Sequence, residues 1–170
     1  RTFVGLQPPI SGQFNWSVDV ESRRYVPQVR TLDPVLPATV ADVIETGALR
    51  GSGLQTLWSG VDDKHIDDLL RQVQMAEFRN HLFRELSEGQ TQLVLLARAL
   101  VGDADVMLLD EPTASMDPDR QNRALDLLQR QRDEHHLSVF LVAHGNQEAR
   151  RAADLILNID KSRQVTLQSA

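Results

Sequence analysis

The chain has 170 residues, 41% hydrophobic and 25% charged, a composition that supports one folded domain with its own core. Its net charge of −6 and the absence of any Lys/Arg run argue against a free-standing nucleic-acid binder. The absence of cysteine excludes disulfide staples and thiolate metal sites and fits a reducing compartment. The longest apolar stretches, such as residues 93–101, carry a charge and fall far short of a bilayer span.

In chain order the elements alternate. Residues 1–6 read as the end of a helix, closed by Pro8-Pro9 and Ser11-Gly12. They show no signal-peptide order, and a start on Arg rather than Met carries the expectation that more chain precedes it. Residues 13–16 and 24–26 read as short strands, and 29–37, with two prolines, as a loop. Residues 39–46 read as a helix with Thr39 as N-cap, Asp42 three residues on and Gly47 just past its end. The Gly/Ser-rich stretch 50–61 reads as irregular, 65–75 and 76–82 as helical, and 91–101 as a helix of good formers. The apolar run 106–109 predicts a strand buried on both faces. A helix over 119–134 follows, with Asp117 as cap and Pro118 in its first turn. Residues 139–142 predict a second buried strand, 146–153 a helix, and 155–159 and 164–167 a final pair of strands. The alternation predicts an α/β domain with a mainly parallel sheet flanked by helices. A helical subdomain is expected over about 33–85, set into a sheet-containing core formed by 1–32 and 86–170.

Four motifs follow one another. Leu86-Ser87-Glu88-Gly89-Gln90 precedes the helix over 91–101, and Ser87 with Gln90 has capping-box spacing. A helix cap explains this pentapeptide; so does an anion site, because free N–H groups and the positive dipole end suit a phosphate. Val106 to Leu109 ends in Asp110-Glu111-Pro112, two acids at a strand's carboxyl end, where open α/β sheets bind ligands. An acidic loop after a core strand explains that pair equally well when it is taken alone. Ser115-Met116-Asp117 follows, and His144 ends the apolar run 139–142. A lone histidine is more often solvated or structural, and His65, His81, His135 and His136 are read that way. Gln28 after Tyr25-Val26-Pro27 stands at a strand end, from which its amide could reach a metal or water.

Taken together and in this order, the motifs resemble the ATP-binding-cassette (ABC) ATPases, with a P-loop NTPase-like fold, across nearly the whole chain. Gln28 resembles the Q-loop glutamine, Leu86 to Gln90 the LSGGQ signature, Val106 to Glu111 Walker B with its catalytic glutamate, Ser115-Met116-Asp117 the D-loop, and His144 the switch histidine. The resemblance implies two such domains paired head to tail around ATP and Mg²⁺, most simply as a homodimer. Ser87, Glu88, Gly89 and Gln90 would face the nucleotide held by the partner. Asp110, with Gln28, would serve the metal, Glu111 and His144 the water and γ-phosphate, and Asp117 the dimer seam. It further implies transmembrane permease subunits, room for a substrate-binding protein, no nucleic acid, and a cytoplasmic location on the inner face of the cell membrane. No G-x-x-x-x-G-K-[ST] phosphate loop occurs in the 170 residues. The first strands of such a fold and that loop are therefore expected upstream, and these residues alone are expected to bind ATP weakly and to hydrolyse none. Two departures stand out: Glu88 replaces the commoner glycine and is expected to point away from phosphate, and Leu93 stands where many members have arginine. Residues 37–44 with Gly47, and Arg84-Glu85 ahead of the signature, resemble importers of zinc, manganese or iron, although an ordinary capped helix accounts for them as well. Two alternatives stay open: a soluble ABC ATPase acting on DNA or ribosomes, and a truncated, non-catalytic piece.

Overall fold

A computed structural model of the chain describes residues 2, 3, 5, 7–28, 37–49, 61–144, 147–159 and 164–169. Its centre is set by Val106-Met107-Leu108-Leu109, a run without polar alternation that must be covered on both faces. It forms β2 (Val106–Asp110), and its four apolar residues are buried. β1 (Arg23–Val26) and β3 (Ser138–Val142) pair with it on either side, both parallel, in the order β1-β2-β3. The registers Val26↔Leu109 and Asp110↔Val142 bring all three carboxyl ends to one edge. A separate antiparallel hairpin is formed by β4 (Leu155–Ile159) and β5 (Val165–Ser169).

The helices carry the capping chemistry their sequences promise. α1 (Val40–Glu45) opens with a complete capping box: Asp42 N–H donates to Thr39 Oγ1 at 3.2 Å and Thr39 N–H to Asp42 Oδ2 at 2.8 Å. The Thr39 side chain is the main reason the Asp42 carboxyl sits below its ordinary range. α2 (Asp63–Gln72) starts on the cap Asp62. α3 (Glu88–Leu100) runs through the middle of the core, with Leu93, Val94, Leu95, Leu96 and Ala97 all buried. Each of the leucine and valine side chains contributes about 1.5–3 kcal/mol on leaving water. α4 (Pro118–His135) and α5 (Gln147–Ala152) complete the described helices. Around α3 the core gathers Val40 and Ile44 of α1, Leu69 and Leu70 of α2, and Leu127 of α4.

Several expectations are corrected. Residues 13–16 form no strand; they lend Phe14 and Trp16 to a chain of edge-on rings from Phe3 to Phe140. At the start of the chain a turn, Gly5 N–H to Thr2 C=O, stands where a helix end was expected; Arg1, Val4 and Leu6 lie outside the described residues. α2 stops at Gln72 because Gln74 takes a left-handed φ of 56°, and helix 76–82 reduces to the 3₁₀ turn Ala76–Phe78. β3 was expected to be covered on both faces, yet Phe140 and Val142 are 55% and 52% exposed. Its V-F-L-V run cannot be told from a two-sided strand by composition alone. Residues 29–36 and 50–60, read as loop and irregular chain, lie outside the described residues.

Candidate functional site

The site grows from the common carboxyl edge of β1, β2 and β3. β2 delivers Asp110 as its last residue, and Glu111 follows with a left-handed φ of 50°. That conformation costs a non-glycine residue about 1–2 kcal/mol. It is held by the Glu111 N–H, which donates to the carbonyl of Val142 at 3.0 Å across the top of β3. The turn therefore leaves the sheet at a fixed angle and throws the Glu111 carboxylate back over the strand ends.

Both carboxylate oxygens of Glu111 are engaged. Gln28 Nε2, two residues past β1, donates to Oε2 at 3.0 Å. His144 Nε2, two residues past β3, stands 3.3 Å from Oε1. The imidazole is 83% exposed while Glu111 is only 25% exposed, so His144 is reachable from solvent. Thus one residue from the end of each strand meets at a single carboxylate. Asp110 lies beside them and accepts a long contact, 3.3 Å, from the Tyr25 hydroxyl. Tyr25 was not singled out in the sequence. Its only signal was an aromatic hydroxyl three residues before Gln28, and its meaning depends on the β1–β2 pairing.

The other wall is the N-terminus of α3. Ser87 is its N-cap: Gln90 N–H donates to Ser87 Oγ at 3.4 Å, and Ser87 N–H to Gln90 Oε1 at 2.9 Å. The Gln90 side chain is thereby folded back onto the cap. Between the walls lies a cleft of about 490 Å³ lined by Gln28, Ser87, Glu88, Gly89, Gln92, Glu111, Ala114, Ser115 and Arg120. Glu88 is exposed at this lining. Arg120 supplies a cation opposite the acids, and its Nε also meets Asp117 Oδ2 at 3.4 Å. Gln92 is 2% exposed, and its Nε2 finds no hydrogen-bond partner among the described residues. A buried amide without a partner costs about 1–3 kcal/mol. Arg120 and Gln92 went unremarked in the sequence because each looks like an ordinary helix residue.

Asp117 lies at the far end of the turn. It caps α4 by accepting from Arg120 N–H at 3.0 Å, and that backbone bond chiefly holds its carboxyl below the ordinary range. A pKa lowered on folding stabilises the folded chain fully above the unfolded value and loses that contribution as pH falls through the folded one. Thermal melts taken below about pH 4 should therefore drop more steeply for the parent chain than for Asp117→Asn. Parallel curves would remove Asp117 from the acid response.

A parallel three-stranded sheet flanked by helices, with Glu111 at its carboxyl edge across a cleft from the capped N-terminus of α3, defines an α/β protein of the kind that binds ligands at that edge. The chain belongs to the ABC transporter family, whose match runs over residues 1–114. It is 33% identical over 161 residues to the zinc import ATP-binding protein ZnuC of Photorhabdus laumondii, covering 95% of this chain and 58% of that protein. To the manganese transport system ATP-binding protein MntB of Halalkalibacterium halodurans it is 33% identical over 141 residues, covering 81% and 54%. Among solved structures, CbiO1 of Clostridium perfringens, part of the CbiONQ ABC transporter complex, superposes with a TM-score of 0.73 at 24% identity, covering 99% of this chain and 69% of that one. That likeness speaks for the fold. The chain spans between 43% and 64% of the length of the curated relatives it matches. No helix among the described residues is long and apolar enough to cross a membrane.

Proposed function

We propose that this chain is part of the ATP-hydrolysing subunit of an ABC transporter, acting as a head-to-tail pair on the inner face of a membrane beneath permease subunits. The observation that carries the reading is the Glu111 carboxylate, bracketed by Gln28 and His144 at the sheet's carboxyl edge with Asp110 alongside. In this reading Glu111 accepts a proton from a water that attacks the γ-phosphorus, and the bond from that phosphorus to the bridging oxygen of ADP breaks. His144, exposed beside Glu111, bonds a γ-phosphate oxygen. Gln28 orients the water and Glu111 through its amide. Ser87 and Gly89, at the N-terminus of α3, receive the phosphates held by the second subunit, and Asp117 lies at the seam between the two.

The donor set fits Mg²⁺. Among the described residues no three acids, histidines or cysteines form an all-protein cage. Asp110 offers a single carboxylate, and Mg²⁺ is commonly held by one or two carboxylates together with substrate phosphates and waters. When bound, Mg²⁺ neutralises charge on the β- and γ-phosphate oxygens. Asp110 would hold it, with Tyr25 keeping the carboxylate in place.

The cargo we propose is a transition-metal ion, supported by the zinc and manganese relatives. As an importer it would be served by a substrate-binding protein outside the membrane. Reading the coding DNA in frame ahead of Arg1 and assaying the protein of the complete frame tests the ATPase assignment. A G-x-x-x-x-G-K-[ST] loop within about two helical turns of Arg1, with Mg²⁺-dependent ATP hydrolysis, is the expected result. A stop codon in that interval, or a complete protein that turns over no ATP, would overturn it.

A further inference from the structure

Gly89 is the second residue of α3 and is buried. A β-carbon there would stand 3.0 Å from the carbonyl oxygen of Ser115 and 3.8 Å from its carbonyl carbon, both of them backbone atoms. The turn from Glu111 to Asp117 therefore lies directly against the helix backbone, at a distance that only glycine allows without displacement.

The turn has little freedom to step back. From α4, Gln121 Nε2 donates to the carbonyls of Thr113 and Met116, each at 3.0 Å. Inside the turn, Ala114 N–H donates to Glu111 C=O and Met116 N–H to Thr113 C=O, each at 3.2 Å. At one end Glu111 is fixed by its N–H on Val142, and at the other Asp117 is fixed as the cap of α4. A push at Ser115 is thus passed along a braced loop of four intervening peptides to Glu111.

We propose that Gly89 is a positioning residue for Glu111 of its own chain: the N-terminus of α3 is the abutment against which the turn carrying Glu111 is set. On the ATPase reading above, which this inference deepens, a phosphate drawing on the N–H groups near Ser87 would shift that abutment and so adjust Glu111 in the same subunit. That effect is separate from any contact Gly89 makes with a nucleotide held by a second subunit.

Hydrogen exchange on the full chain without nucleotide tests the contact. In Gly89→Ala the amides of Ala114 and Met116 should exchange at least about tenfold faster than in the parent, from the overpacking cost concentrated in one locally opening turn. Amides of β2 should keep their parent rates. Unaltered exchange of Ala114 and Met116 in Gly89→Ala, or an equal rise in β2, would overturn the proposal. Should Gly89→Ala fail to fold, Gly89→Ala/Gln121→Ala should fold, because the turn freed from α4 can withdraw; a pair that also fails overturns the proposal. No nucleotide takes part, so these outcomes judge the contact alone, whereas missing ATP turnover in the complete protein would count against the ATPase reading.

Discussion

In the protein of the complete reading frame, Glu111→Gln should lower the rate of ATP hydrolysis by about 10²- to 10⁴-fold while nucleotide affinity stays within a few-fold. The substitution is chosen because it separates chemistry from shape. Glutamine has the same length, and its amide oxygen can still accept from Gln28 Nε2, which now bonds Glu111 at 3.0 Å. The backbone is equally undisturbed, since a glutamine bears the φ of 50° at the same cost as a glutamate. What is lost is a group able to take a proton from water and a negative charge 3.3 Å from His144 Nε2. Glycine would be a poor choice, because it would relieve the left-handed strain and loosen the turn together. Steady-state phosphate release and nucleotide titration on the same preparation make the measurement. Turnover within about threefold of the parent would take Glu111 out of the mechanism and leave His144 or Gln28 to account for water activation.

Where an element is decided locally, the sequence disclosed it. Thr39 with Asp42, Ser87 with Gln90, and Asp117 with Pro118 each specify a helix start through side-chain bonds to nearby N–H groups, and each forms. The run 106–109 disclosed a central strand for a similar reason: four consecutive apolar residues need cover on both sides. Elements decided by partners were less legible. Residues 13–16 have strand-like alternation, yet no described strand pairs with them. β3 has the composition of an interior strand, yet Phe140 and Val142 on one face stay largely exposed, with Trp16 edge-on to Phe140. At the site, Gln28, Asp110, Glu111 and His144 were legible through the ordered set of motifs and the resemblance it carries, since a lone glutamine or histidine at a strand end says little; the parallel pairing of the three strands brings their ends to one edge. Arg120, Gln92 and Tyr25 could not be, because their place in the cleft depends on how α3, α4 and β1 pack in three dimensions.

Gly47 shows the same limit and yields the largest expected effect on stability. Its position after α1 suggests a left-handed helix stop, but it lies within the 3₁₀ turn Thr46–Ala48 and has no positive φ. Glycine is required there by proximity. A β-carbon at 47 would come within 2.8 Å of the carbonyl carbon of Arg98 and of Val101 Cγ1, and closer still to the Arg98 carbonyl oxygen. Two of those three atoms are backbone of α3, so no rotamer change relieves the overlap. The joint is further locked by Arg98 Nε, which donates to Thr46 Oγ1 at 2.8 Å. Gly47→Ala must therefore separate the end of α1 from the C-terminal end of α3, opening contacts around Val40 and Ile44, both fully buried. The expected loss is about 3 kcal/mol or more, at the upper end for overpacking, with a fall in Tm on the order of 10 °C for a chain of this size. Denaturant unfolding and thermal melts measure both. Gly102→Ala should cost less, since the atoms its β-carbon would crowd, the end of Arg24 at 3.1 Å and the Gly47 carbonyl oxygen at 3.2 Å, need give way by only a small fraction of the overlap at Gly47. A Gly47→Ala chain within about 1 kcal/mol of the parent would mean that α1 can slide on α3 without loss, and the packing that holds the Ser87 end of α3 in the cleft would need another origin.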